Sequence, residues 1–193
     1  MAHSRNRCVY CDDARGADVD HFAPIDHDHT QAFSWDNHLW SCPECNRRKS
    51  TKFPIAAGEP TLLNPVTENW WSLLTLDTAT GVLAPRYVGG GFDPRGKDTL
   101  EVFQPVNFES VIEGRCRAIR RIRRAADAAV DEGDTPDTRT ALARAVAEDD
   151  YGVAQWFALA AGRDESAFAA LRVTRPGIWR RFVLTTVART YGV

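Results

Sequence analysis

The sequence predicts an α+β chain: a small cysteine-rich N-terminal module, a β-containing connecting region and a C-terminal helical region. Three observations predict it. Two Cys-x-x-Cys pairs, Cys8/Cys11 and Cys42/Cys45, bracket a stretch rich in His and Asp. The middle of the chain carries turn signals, among them Asn64-Pro65, Asp77 to Gly81 and the triple glycine Gly89-Gly90-Gly91. Further on, apolar positions recur at helical period. The boundaries read from these signals are 1–58, 59–107 and 108–193.

The N-terminal module is read from its cysteines. Five are present, and Cys116 stands apart from the two pairs. Two thiolates separated by two residues can reach one tetrahedral ion at roughly 2.3 Å. Paired disulfides and four unrelated buried thiols are the alternatives, but a chain without an apolar leader favours metal over disulfides. Cys8, Cys11, Cys42 and Cys45 are therefore expected to hold one structural Zn²⁺. Ser41 and Glu44 have the spacing of a capping box, which predicts a helix from Cys42. On that helix Cys42, Cys45, Asn46 and Lys49 fall at i, i+3, i+4 and i+7, one face.

The connecting region holds strand signals around Trp70 to Leu76, and the triple glycine reads as a mobile loop or hairpin tip. In the last region a first long helix is expected over about Phe108–Val130, broken by the segment containing Gly133 and Pro136. Further helices are expected over Asp137–Ala147, Tyr151–Ala161, Glu165–Leu171 and Ile178–Tyr191. On the first, Arg117, Arg120, Arg121 and Arg124 share one side at i, i+3, i+4 and i+7. That side is open to nucleic acid, a protein partner or solvent, and we expect nucleic acid.

With 193 residues, 44% hydrophobic content and six tryptophans, the chain belongs with folded proteins, not disordered ones. Its apolar stretches fall short of the ~20 residues of a membrane span. Met1-Ala2-His3-Ser4-Arg5 lacks the apolar core of a signal peptide, so a cytoplasmic protein with no membrane partner is expected. The formal net charge of -2 gives no global attraction to polyanions. Basic residues are grouped instead, at Arg47, Arg48, Lys49 and Lys52 and again from Arg115 to Arg124.

Between the cysteine pairs lie Asp18-Val19-Asp20-His21 and Trp35-Asp36-Asn37-His38, and Asn46-Arg47-Arg48-Lys49 follows the second pair. These residues suit phosphodiester hydrolysis. His21 can take a proton from water near neutral pH. Asp20 and the Asn46 amide oxygen are hard ligands for Mg²⁺ or Mn²⁺. Arg47, Arg48 and Lys49 can hold phosphates. Adjacent strand residues point to opposite faces, so Asp20 and His21 must sit at a strand end or on distorted backbone to serve one site.

The string Asp20-His21 … Asn37 … Cys42-x-x-Cys45-Asn46-x-x-Lys49 resembles the HNH, or ββα-metal, nuclease family. Asp18-Val19-Asp20-His21 and Asn46-Arg47-Arg48-Lys49-Ser50 are also similar to the HNH domain of CRISPR effector nucleases. The resemblance implies a zinc-stapled ββα module with His21 as general base and Asp20 as a metal ligand. Asn37 matches the central asparagine that braces the loop holding the histidine. Asn46 stands where the literal motif has its last histidine, and implies a hard catalytic cation. Trp35-x-Asn37-x-Leu39-x-Ser41-Cys42, Lys52-Phe53-Pro54 and Leu63-Asn64-Pro65 extend the likeness to small prokaryotic HNH proteins, including nuclease subunits of Septu-type and retron-associated anti-phage systems. It covers residues 8–54, thins over 55–125 and does not reach beyond.

The expected function is therefore metal-dependent endonucleolytic cleavage of nucleic acid, DNA favoured over RNA, in anti-phage defence. No G-x-x-x-x-G-K-[ST] string is present, so by analogy an ATPase or reverse-transcriptase partner would supply sensing. The alternative is a catalytically silent zinc-containing nucleic-acid-binding or adaptor subunit.

Overall fold

The computed structural model describes residues 6–13 and 16–191. Met1 to Arg5, on which the signal-peptide reading falls, lie outside the described residues. Two compact units are present: residues 1–77 with 82–112, and residues 78–81 with 113–193.

The first unit begins with a ββα arrangement. Strands β1 (Asp18–His21) and β2 (His38–Ser41) pair antiparallel, with Asp18 opposite Ser41, Asp20 opposite Leu39 and His21 opposite His38. Helix α1 (Pro43–Lys49) follows and packs against β1. The Cys8–Cys11 knuckle is sewn to β2 because Val9 N–H donates to the Trp40 carbonyl at 3.0 Å. Asp12 closes the knuckle with φ +59°, a left-handed conformation that Asp tolerates better than most residues. Gly16 must be glycine: a Cβ there would fall 2.1 Å from the Trp40 indole.

Three short antiparallel hairpins follow. They are β3/β4 (Ile55–Ala56, Glu59–Pro60), β5/β6 (Leu74–Leu76, Leu83–Pro85) and β7/β8 (Tyr87–Val88, Gly91–Phe92). Gly89 and Gly90 form the last tip with φ +62° and +87°, the positive dihedrals a two-residue hairpin turn requires. The triple glycine thus supplies a hairpin tip at Gly89 and Gly90 and opens β8 at Gly91. Helix α2 (Pro94–Val102) was not foreseen among these strand and turn signals. Asp93 starts it, accepting from Gly96 N–H at 2.8 Å, with Pro94 in the first turn. Its end joins Leu62, Leu63, Leu74, Phe103 and Val106 in the core.

Helix α3 (Glu109–Glu132) runs from the first unit into the second. The second unit adds α4 (Pro136–Ala147), α5 (Val153–Leu159), α6 (Ser166–Thr174) and α7 (Pro176–Tyr191). The expected helices are present with shifted ends. The entry to α4 is set by Thr135 and Thr138, whose side chains cap one another's backbone N–H groups. Ile119, Ile122, Ala126 and Ala129 bury the apolar stripe of α3, and Phe157, Phe168 and Phe182 stack in series. Among the described residues, no helix is long and apolar enough to cross a membrane.

Candidate active site and metal centre

The four thiols of Cys8, Cys11, Cys42 and Cys45 are buried, unlinked by disulfides, and lie within 4.8 Å of one another. Cys11 Sγ and Cys42 Sγ are 4.0 Å apart. Zinc at roughly 2.3 Å from each sulfur asks for tetrahedral S···S separations of about 3.8 Å, so the group fits the ion. Without a cation such a cluster cannot ionise fully. Hydrogen bonding to Cys42 pushes the Cys11 thiol up, and hydrogen bonding to Cys11 pushes up Cys45. Cys42 takes those hydrogen bonds and is held well down.

Cys42 has a second task that corrects the expected capping box. It is the N-cap of α1, its sulfur accepting the Cys45 N–H at 3.4 Å. Ser41 instead completes β2 with its hydroxyl buried, and Glu44 turns along the helix to pair with Arg47 and Arg48. The zinc pair and the helix start are therefore one piece of structure.

Asp20, His21 and Asn46 line one open cleft of about 250 Å³, together with Val19, Pro24, Ile25, Asp26, Ser50 and Thr51. His21 is the last residue of β1, the strand-end placement that adjacent Asp20 and His21 require. Asn46 Nδ2 donates to Asp18 Oδ2 at 3.4 Å, an orientation that leaves its amide oxygen available to a cation. Asp20 is almost wholly buried; it accepts from the Tyr10 hydroxyl and from Lys49 Nζ at 3.1 Å. A carboxylate offers about four lone-pair positions, so it can still contribute to a cation. Burial pushes the Asp20 carboxyl up, against the pull of Lys49 and Tyr10.

Lys49 is the clearest departure from expectation. Counted with Arg47 and Arg48 as a phosphate contact, it is instead fully buried, donating to Asp20 and to the His21 carbonyl at 2.6 Å. A carboxylate taken out of water needs a counterion, and the last turn of α1 supplies it. Burial pushes the Lys49 ammonium down, which Asp20 opposes. Arg47 stays exposed beside Glu44, while Arg48 pairs with Glu44 and lies over Phe108, 5.1 Å from its ring centre.

Asn37 is buried at the far end of the loop joining β1 to β2. Its Oδ1 accepts from Ala23 N–H at 2.7 Å, and its Nδ2 donates to the carbonyls of Ala23 (3.0 Å) and Gln31 (3.2 Å). These bonds clamp both arms of the loop that follows His21. His21 Nε2 lies 3.1 Å from the Ala32 carbonyl within the same loop.

Sequence reasoning missed three participants. Tyr10 sits in the knuckle, where nothing signals its bond to Asp20. Asp18 shares a strand face with Asp20 by period-two alternation, a signal that could have marked it as the partner of Asn46. His38 is the third: it follows Asn37, and its Nε2 lies 3.1 Å from His21 Nε2. His27 and His29, in the string Asp26-His27-Asp28-His29, join no metal-ligating group of three among the described residues. His27 packs on Phe53 at 4.9 Å, and Asp28 caps Thr30.

The four arginines of α3 are not alike. Arg117 pairs with Glu113 at 3.6 Å, and Arg121 donates to the Glu148 carbonyl at 2.6 Å. Arg120 and Arg124 are exposed.

The sequence model of the HNH endonuclease family matches residues 8–52, the span from the knuckle through α1. This chain carries an HNH endonuclease domain. It is also similar to the Septu protein PtuB of Bacillus thuringiensis, with 32% identity over 118 residues, 58% of this chain and 41% of that protein. The chain thus spans about two fifths of the length of the curated relative it matches. No solved structure matches. The four thiols that could hold a metal ion lie within the matched span.

Proposed function

We propose that the chain is a metal-dependent endonuclease that hydrolyses phosphodiester bonds, of DNA in preference to RNA, as a cytoplasmic effector of anti-phage defence. Residues 1–58 are its nuclease module. The single observation that carries this reading is the cleft that gathers His21, Asp20 and Asn46 within a module whose four thiols would hold zinc. The likeness to a Septu protein supports the defence role. A partner of ATPase or reverse-transcriptase type belongs to the proposal by analogy.

His21 is the general base. A carbonyl can only accept, so its contact with Ala32 places the ring proton on Nε2 and leaves Nδ1 with its lone pair. Nδ1 takes a proton from the attacking water. Asp20 and Asn46 would hold Mg²⁺ or Mn²⁺, hard oxygen donors for a hard cation. When bound, that ion offsets charge on the scissile phosphate and the departing oxygen. Lys49 and Tyr10 keep the Asp20 carboxylate in place, and Asp18 orients the Asn46 amide. Arg47 and Arg48 at the end of α1 hold flanking phosphates, and Arg120 and Arg124 of the second unit add contacts to nucleic acid.

The test is a Mg²⁺-dependent cleavage assay on duplex and single-stranded DNA and RNA with His21→Ala as control. The substitution should lower the rate about 10²–10⁴-fold and leave zinc content unchanged. Wild-type protein that binds nucleic acid but never cleaves it would favour the adaptor reading instead.

A further inference from the structure

Across the β1–β2 ladder from His21 stands a second imidazole. His38 Nε2 lies 3.1 Å from His21 Nε2 and 3.0 Å from the Ala32 carbonyl, which is itself 3.1 Å from His21 Nε2. The rings meet edge to face with centres 4.7 Å apart. Three atoms thus form a nearly equilateral triangle, and only the carbonyl vertex is barred from donating.

We propose that His38 is a positioning residue for the general base. This rests on the nuclease reading. One hydrogen bond to a loop carbonyl leaves an imidazole free to swing or flip about its outer torsion, which exchanges the two edges of the ring. A second contact at the same nitrogen removes that freedom. The Ala32 oxygen has two lone pairs and can take an N–H from each ring, or His38 Nε2 can share the His21 proton as a second acceptor. Both arrangements keep the proton of His21 on Nε2 and its lone pair on Nδ1. The loop bearing Ala32 is in turn clamped by Asn37 to Ala23 and Gln31, so the triangle stands on fixed backbone. His38 acts through His21 and needs no contact with substrate.

The experiment compares full-length, zinc-loaded wild type with His38→Ala and His38→Gln. The glutamine amide can still donate to Ala32. Two quantities are read: kcat and KM for Mg²⁺-dependent cleavage of a defined oligonucleotide, and the ring ¹⁵N shifts of His21 at about pH 8, above the ordinary histidine range. Wild type should show the Nε2–H form of His21. His38→Ala should mix the two forms and lower kcat about 10- to 100-fold, as when an orienting partner is removed, with KM little changed. His38→Gln should recover much of both. An unchanged His21 tautomer and kcat in His38→Ala would overturn the proposal. So would Ala and Gln variants equally impaired and equally destabilised to heat, since that marks a packing role. Absence of cleavage by the wild type would fail the nuclease reading, while the ¹⁵N shifts still report whether His38 sets the tautomer.

Discussion

Lys49 Nζ lies 3.1 Å from Asp20 Oδ1, with both side chains withdrawn from solvent. The pair joins the end of α1 to β1 at the cleft that Asp20 lines. Removing one member of a buried pair leaves an uncompensated charge, so Lys49→Met should cost about 3–5 kcal/mol of stability by denaturant titration. The double variant Lys49→Met/Asp20→Asn should regain most of that stability. It should not regain cleavage, because Asp20 is also a proposed cation ligand. A double variant as unstable as the single one would show that Lys49 serves packing more than charge.

Zinc should hold the module together. Structural sites can supply about 10–16 kcal/mol of apparent binding energy in small domains. Cys45→Ser should therefore unfold the segment from the knuckle through α1, seen as lost amide-exchange protection there, while the helical unit keeps its protection. Metal analysis should find one zinc per wild-type chain. Folded, active protein free of zinc would contradict this.

Arg120 and Arg124 are exposed, as is Arg117, which pairs with Glu113, whereas the half-buried Arg121 answers to Glu148. If Arg120 and Arg124 neutralise phosphates, changing both to Gln should flatten the dependence of log affinity on log salt by about 0.9 per contact for duplex DNA. Binding should weaken alike on all sequences. Arg117→Gln should change the slope less. An unaltered slope in the double variant would remove α3 from the nucleic-acid surface.

Asp149 gives a pH test in the helical unit. Its carboxylate is buried at the start of α5, accepting from Ala154 N–H at 2.6 Å and Tyr151 N–H at 3.1 Å. Burial pushes its pKa up, outweighing those hydrogen bonds. The folded state then binds a proton at pH values where the unfolded chain has lost it. Stability contributed by Asp149 accordingly falls as pH rises from the ordinary Asp value, about 3.9, through the folded pKa. The stability of wild type relative to Asp149→Asn should decline over that window and level off above it. A difference that grows with pH would reverse the assignment.

Much of the site was legible because its signals are local. Cys-x-x-Cys spacing brings two sulfurs to one ion whatever surrounds them. The helical period carried Cys45 and Asn46 onto α1, and the glycines at 89 and 90 marked a tip because their backbone dihedrals exclude most other residues. The helices after α3 followed from apolar periodicity for the same reason. Helix α2 escaped because its start, Asp93-Pro94, follows directly on the glycine-rich turn.

What the tertiary structure alone decided is which polar groups face one another across long loops. Lys49 reads as surface charge in any local window, and only the burial of Asp20, 29 residues earlier, draws it inward. His38 is a neighbour of His21 through strand register, which the 16 residues between them do not specify until Asn37 folds the loop. Tyr10 meets Asp20 because zinc-ligand spacing and the β2 pairing bring the knuckle over β1. Local spacing sets which atoms a segment can offer. Desolvation, which penalises every unpaired buried charge, sets which of them must meet.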